Sequence, residues 1–128
     1  MDIIQNYING QLQAPLAGDY IDNYEPATGQ VYGKIPRSQA DDVDAAVKAA
    51  DAAFPAWSAL SIQERSAYLR KISEAIDAKL NLLAEAESRD NGKPIKLAAA
   101  VDIPRSRDNF SFFATAILHQ EDEFHNMG

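Results

Sequence analysis

The stretch Gln30–Phe54, QVYGKIPRSQADDVDAAVKAADAAF, is where the chain changes its period. Up to Ile35 the pattern alternates, with Val31, Gly33 and Ile35 on one face of a strand. From Ser38 the apolar residues Val43, Val47, Ala50 and Phe54 step by four, three and four, which is one stripe of a helix. Ser38 is placed to cap that helix, and Asp41 and Asp42 would face the positive end of its dipole. Pro55 marks its expected end, with Trp57 just beyond as a packing residue.

Upstream, "NYING" and "DYIDNYEP" have the character of short strands. In "EPATGQ", Pro26 and Gly29 suit a tight turn between two strands. Residues 1–36 are therefore expected to be β-rich. Downstream, "SIQE" at Ser61–Glu64 is a capping box, and Leu69, Ile72, Ile76, Leu80 and Leu83 repeat at three and four behind it. A single break is expected near Asp77–Lys79, and Gly92 and Pro94 close a helical region covering 38–92. A third helical region spans 95–118. There Asp102 is expected as an N-cap, with Pro104 in the first turn, where its missing amide costs little. Two helices would then meet at Val101–Asp102, the second burying Phe110 and Phe113. Residues 119–128 form a polar tail. The fold class is α/β, with N-terminal β-hairpin strands followed by helices.

The bulk numbers exclude several functions. The 128 residues are one domain's length, and a net charge of −7 argues against nucleic acid and against an anionic membrane surface. No apolar run is long enough to span a bilayer, and "MDIIQNYING" lacks the basic and apolar regions of a signal peptide. There is no cysteine, hence no disulfide, no thiolate metal site and no thiol nucleophile. A cytoplasmic protein is the expectation.

Known chemical motifs are missing from the sequence. It contains no dinucleotide or P-loop glycine pattern, no nucleophile elbow and no H-E-x-x-H. His119 and His125 flank Glu121, Asp122 and Glu123, but that spacing is better explained as a solvated acidic surface than as a metal site. Paired carboxylates such as Asp41 and Asp42 are explained by a helix first turn.

Order and wording together carry more. The family pattern of an N-P-x-T-G-E/Q turn, an A-x-x-A-F-x-x-W segment, a helix opening on E-R and an E-x-x-D-x-G-K-P ending recurs in order. It falls at Pro26–Gly29 with Gln30, at Ala50–Trp57, at Glu64–Arg65 and at Glu87–Pro94. Glu25 stands where asparagine is usual before the proline. The chain thus resembles the N-terminal part of the aldehyde dehydrogenase superfamily, an incomplete piece of its NAD-binding domain. "DIPRSRDNFSFFATAILH" further resembles the branch that oxidises 2-hydroxy- and 2-aminomuconic semialdehydes in the catabolism of aromatic compounds.

The resemblance implies an NAD-dependent oxidoreductase, homo-oligomeric when complete, acting on a small-molecule aldehyde. In that family a cysteine attacks the aldehyde, hydride passes to NAD, and a glutamate-activated water releases the acid. Neither a catalytic nor a cofactor-binding residue of that scheme falls in this sequence, so the chain alone is expected to be inactive. A non-catalytic truncated fragment or interaction module is one alternative. Another branch, such as betaine or succinate semialdehyde dehydrogenase, is a second.

Two groups carry over residue by residue. The family's structural monovalent cation implies Asn23 and Tyr24, through their carbonyls, and Asp90 as ligands; capping, or pairing with Lys93, is the other reading of Asp90. The helix after G-K-P lines the family's substrate tunnel, which puts Val101 and Arg105 on lining positions four apart. An arginine there would grip the carboxylate of a semialdehyde acid with its planar fork. The other reading pairs Arg105 with Asp102 or Asp108, an exposed interaction worth at most about 1 kcal/mol. Arg107 lies about 160° round the helix, facing solvent or a domain contact.

Overall fold

The computed structural model describes residues 2–119, and they fall into two compact units. The first comprises the chain through Ala59 together with Glu87–Lys93; the second comprises Leu60–Ala86 and the chain from Pro94 onward.

In the first unit, β4 (Tyr20–Glu25) and β5 (Gln30–Pro36) form an antiparallel hairpin across the predicted Pro26–Gly29 turn. A short β1 (Asp2–Ile3) adds in parallel to the other edge of β5, giving the order β1-β5-β4. Gly33 makes this pairing possible, because a Cβ there would stand 2.9 Å from the Asp2 carbonyl oxygen. The hairpin register shifts between Asn23, opposite Gly33, and Tyr24, opposite Val31, so Tyr32 is the extra residue of a bulge. A separate hairpin joins β2 (Asn6–Ile8) to β3 (Gln11–Gln13). "NYING" is thus a strand followed by a turn, with positive φ at both Asn9 and Gly10.

Helix α1 (Ala40–Ser58) occupies the predicted stripe, with two corrections. Its cap is Gln39 rather than Ser38, whose hydroxyl instead bonds Asn6 Oδ1 at 3.0 Å. Asp42 explains the shift: one carboxylate oxygen accepts the Gln39 amide at 2.9 Å and the other the Leu16 amide at 2.8 Å. Those bonds hold the Asp42 pKa below the ordinary carboxylate value, the Gln39 amide contributing most. Pro55 does not end α1, which continues to Ser58 and so contains Trp57. A proline so late in the helix deprives only the exposed Asp51 of its carbonyl partner, and water can replace it.

In the second unit, α2 (Ile62–Ala78) opens on the predicted capping box. Ser61 Oγ accepts the Glu64 amide at 3.2 Å, and Glu64 Oε2 accepts the Ser61 amide at 2.8 Å. The break after α2 falls where expected, and α3 (Leu80–Asn91) begins beyond Lys79. The last turn of α3 belongs to the first unit and ends at Gly92, whose φ of 77° suits a left-handed C-terminal cap.

The region around Pro104 differs from expectation. A single turn, α4 (Ile95–Leu97), runs into a π turn (Ala98–Asp102) and directly into α5 (Ile103–Ala116). Asp102 has helical angles and makes no capping bond, so it is not an N-cap. The chain accommodates Pro104 by widening: Ile103 donates to Ala98 O, five residues back, which relieves the clash a proline ring causes in a regular α-turn. The phenylalanines differ as well. Phe110 is half-buried, Phe112 and Phe113 are exposed and meet edge to face at 5.2 Å, and the buried residue of α5 is Ala114. Small residues, Ser66, Ser73 and Ala114, let α2 and α5 approach closely, leaving no room there for a ring.

Candidate functional site

Each unit holds one group of predicted site residues. In the first, the bulge in β5 aims Tyr32 at the end of α3. Its hydroxyl donates to Asp90 Oδ1 at 2.6 Å. Asn23 Nδ2 donates to the same oxygen at 2.9 Å and to the Tyr32 hydroxyl at 2.9 Å. These bonds, that from Tyr32 foremost, lower the Asp90 pKa, and the bond to Asp90 raises that of Tyr32. Arg89 lies over the Tyr32 ring at 4.4 Å and reaches Asp2 at 3.2 Å and Glu25 at 3.9 Å.

Of the three residues expected around a cation, Asn23 and Asp90 are thus in direct contact, while the Tyr24 side chain is exposed on β4. Asp90 is engaged by Asn23 and Tyr32. Its second oxygen, Oδ2, accepts no hydrogen bond from a described residue, so a negatively charged oxygen remains for a hard cation. Tyr32 was missed by sequence reading. Its signal is the odd residue between Val31 and Gly33, which only a bulge turns toward Asp90.

In the second unit, α2 fixes α5. Ser73 Oγ donates to the Arg107 carbonyl at 3.1 Å, and Ser66 Oγ to the Ala114 carbonyl at 2.7 Å. Arg107 Nη1 reaches Asp77 at 2.7 Å and its Nε reaches Asp108 at 2.8 Å; both carboxylates, Asp108 foremost, raise the guanidinium pKa. The face of α5 toward α2 is therefore the line of Arg107 and Ala114. Arg105 projects from the opposite side and is exposed, without hydrogen bond or ion pair to another described residue. Val101 lies one turn earlier, 44% exposed, inside the π turn. Phe112, 65% exposed, lies two turns further along the Arg105 face. Sequence reading assigned it no role, although its seven-residue spacing from Arg105 was visible.

Among the described residues, no group of three His, Asp or Glu side chains could hold a metal ion, and no helix is long and apolar enough to cross a membrane. Glu121, Asp122, Glu123 and His125 lie outside the described residues. The described glycines sit in turns, in one strand and at a helix end, so they form no dinucleotide-binding loop.

Comparison with known proteins shows the family. Residues 14–127 match the sequence profile of the aldehyde dehydrogenase family. Over 121 residues the chain is 46% identical to 2-aminomuconic semialdehyde dehydrogenase of Homo sapiens, covering 94% of this chain and 24% of that protein. It is 45% identical over 117 residues to acetaldehyde dehydrogenase 2 of Cupriavidus necator, covering 91% and 23%. The crystal structure of PnpE in complex with nicotinamide adenine dinucleotide superposes with a TM-score of 0.86 at 39% identity, over 88% of this chain and 23% of that one. The chain spans about a quarter of the length of the curated relatives it matches.

Proposed function

The chain belongs to the aldehyde dehydrogenase family, and from that premise we propose that it is the N-terminal part of an NAD-dependent enzyme oxidising a semialdehyde acid to the diacid. The substrate is of the 2-aminomuconate or 2-hydroxymuconate semialdehyde type, and the enzyme is a cytoplasmic homo-oligomer. One observation carries the substrate class: Arg105 stands exposed on α5 with no acidic partner among the described residues, on the face it shares with Val101 and Phe112. Relatives of nearly equal identity are named for an acidic semialdehyde and for acetaldehyde, so overall identity does not choose between them. The chemistry of that position supports the acidic semialdehyde. A guanidinium facing a substrate offers two parallel donors to a carboxylate and gains nothing from a neutral chain.

In this reading Arg105 anchors the acid end and orients the aldehyde, and Val101 gives the anchor an apolar wall. NAD accepts the hydride when bound, and the cysteine, the glutamate and the dinucleotide cradle come from the rest of the enzyme. Asp90, with the Asn23 and Tyr24 carbonyls, holds a structural monovalent cation. Steady-state NADH formation by the full-length enzyme tests the proposal. A kcat/KM for the semialdehyde acid well above that for a neutral aldehyde of similar length is expected. Preference for the neutral aldehyde would contradict it, and the 128-residue chain alone should produce no NADH.

A further inference from the structure

The two serines of α2 that bond to α5 are spaced as a pair. Ser66 and Ser73 are seven residues apart, as are their acceptors Ala114 and Arg107, and the order is reversed. Both bonds therefore belong to one antiparallel register, two helical turns long. Sliding α5 by one residue moves its carbonyls about 1.5 Å along the axis and about 100° around it, which breaks both bonds together. The Arg107 carbonyl offers Ser73 a second lone pair beyond its intrahelical bond, whereas the Ala114 carbonyl lies in the last turn of α5, where the Leu118 amide donates to the Thr115 carbonyl instead, and Ser66 satisfies it. Ser66 and Ser73 are themselves buried, at 2% and 8% exposure, so water does not compete for them.

Apolar packing fixes a helix's rotation only as closely as side-chain shapes interlock, and a small facing residue such as Ala114 interlocks little. A hydroxyl bonded to one particular carbonyl does set the rotation. We propose that Ser66 and Ser73 are positioning residues for Arg105, their paired bonds fixing the rotational phase of α5 so that Arg105 projects toward the acid end of the substrate. The inference rests on the substrate role proposed above for Arg105. Arg105 is two residues before Arg107, about 160° around the helix from the Ser73 bond, so any rotation of α5 displaces it directly. The Arg107–Asp77 contact lies one turn beyond Ser73 on α2 and supports the same phase from the surface.

The test uses the full-length enzyme and compares kcat/KM for a semialdehyde acid with that for a neutral aldehyde. Ser73→Ala removes its directional bond while the Arg107 carbonyl, inside α5, keeps its helical partner, and Ser66→Ala removes the bond to the Ala114 carbonyl in the last turn of α5. The double variant should lower the acid-to-neutral ratio about tenfold, chiefly through KM for the acid. Ser73→Thr, which keeps the hydroxyl, should stay within about twofold of the parent ratio. Should the double variant not fold, Ser73→Ala alone reads the same ratio and should lower it about threefold. Equal losses on both substrates would make the serines merely structural and overturn the inference. So would an unchanged ratio in the serine variants while Arg105→Ala changes it. If Arg105→Ala also leaves the ratio unchanged, the substrate role of Arg105 is wrong and the positioning role falls with it.

Discussion

Arg105 and Arg107 stand two residues apart on α5 and meet opposite surroundings. Arg107 is held by Asp77 at 2.7 Å and by Asp108 at 2.8 Å, whereas Arg105 is exposed and pairs with no described residue. The helical repeat turns that small separation into opposite faces, one closed by α2 and one open. The paired arginine belongs to the packing of the unit, and the open one is available to a ligand.

The capping box of α2 predicts a stability effect. Ser61→Ala removes the acceptor of the Glu64 amide and should cost about 1 kcal/mol. Urea unfolding of the chain should show a lower midpoint with an unchanged slope. Ser61→Asp, which keeps a capping acceptor, should recover most of the loss.

A pH effect follows from Asp42. Its folded pKa is lowered by the Gln39 and Leu16 amides, so the unfolded chain binds the proton more readily. The stability it contributes is full above the ordinary carboxylate pKa of about 4 and is lost as pH falls through the lowered folded value. Asp42→Asn should flatten this acid limb when unfolding is followed by circular dichroism. An acid limb as steep as that of the parent chain would show that Asp42 does not drive it.

The hairpin and α1 were legible because period alone separates them, and the capping box because its four residues carry their own hydrogen bonds. The break after Ala78 was visible for a similar local reason. What the sequence concealed lies in tertiary geometry. Asp42 shifted the α1 cap because it also binds the distant Leu16 amide, and a π turn absorbed Pro104 where a cap had been expected. The burial assigned to Phe113 fell to Ala114, because Ser66 opposite admits only a small neighbour. Tyr32 reached Asp90 through a bulge that no local pattern announces.

For the proposed cation, the carboxylate of Asp90 is the decisive group. The full-length enzyme should melt at higher temperature in potassium or sodium chloride than in choline chloride at equal ionic strength. Asp90→Asn should abolish that difference. Identical melting of the parent enzyme in all three salts would remove the cation from the account.

The central claim is that Arg105 selects an acidic substrate. The direct measurement is kcat/KM of full-length Arg105→Ala against its parent, on a semialdehyde acid and on a neutral aldehyde of similar length. Losing a charge-assisted hydrogen bond of about 1.5–3 kcal/mol should lower the acid value roughly ten- to a hundredfold and leave the neutral value nearly unchanged. Equal losses on both substrates, or no loss on the acid, would contradict it.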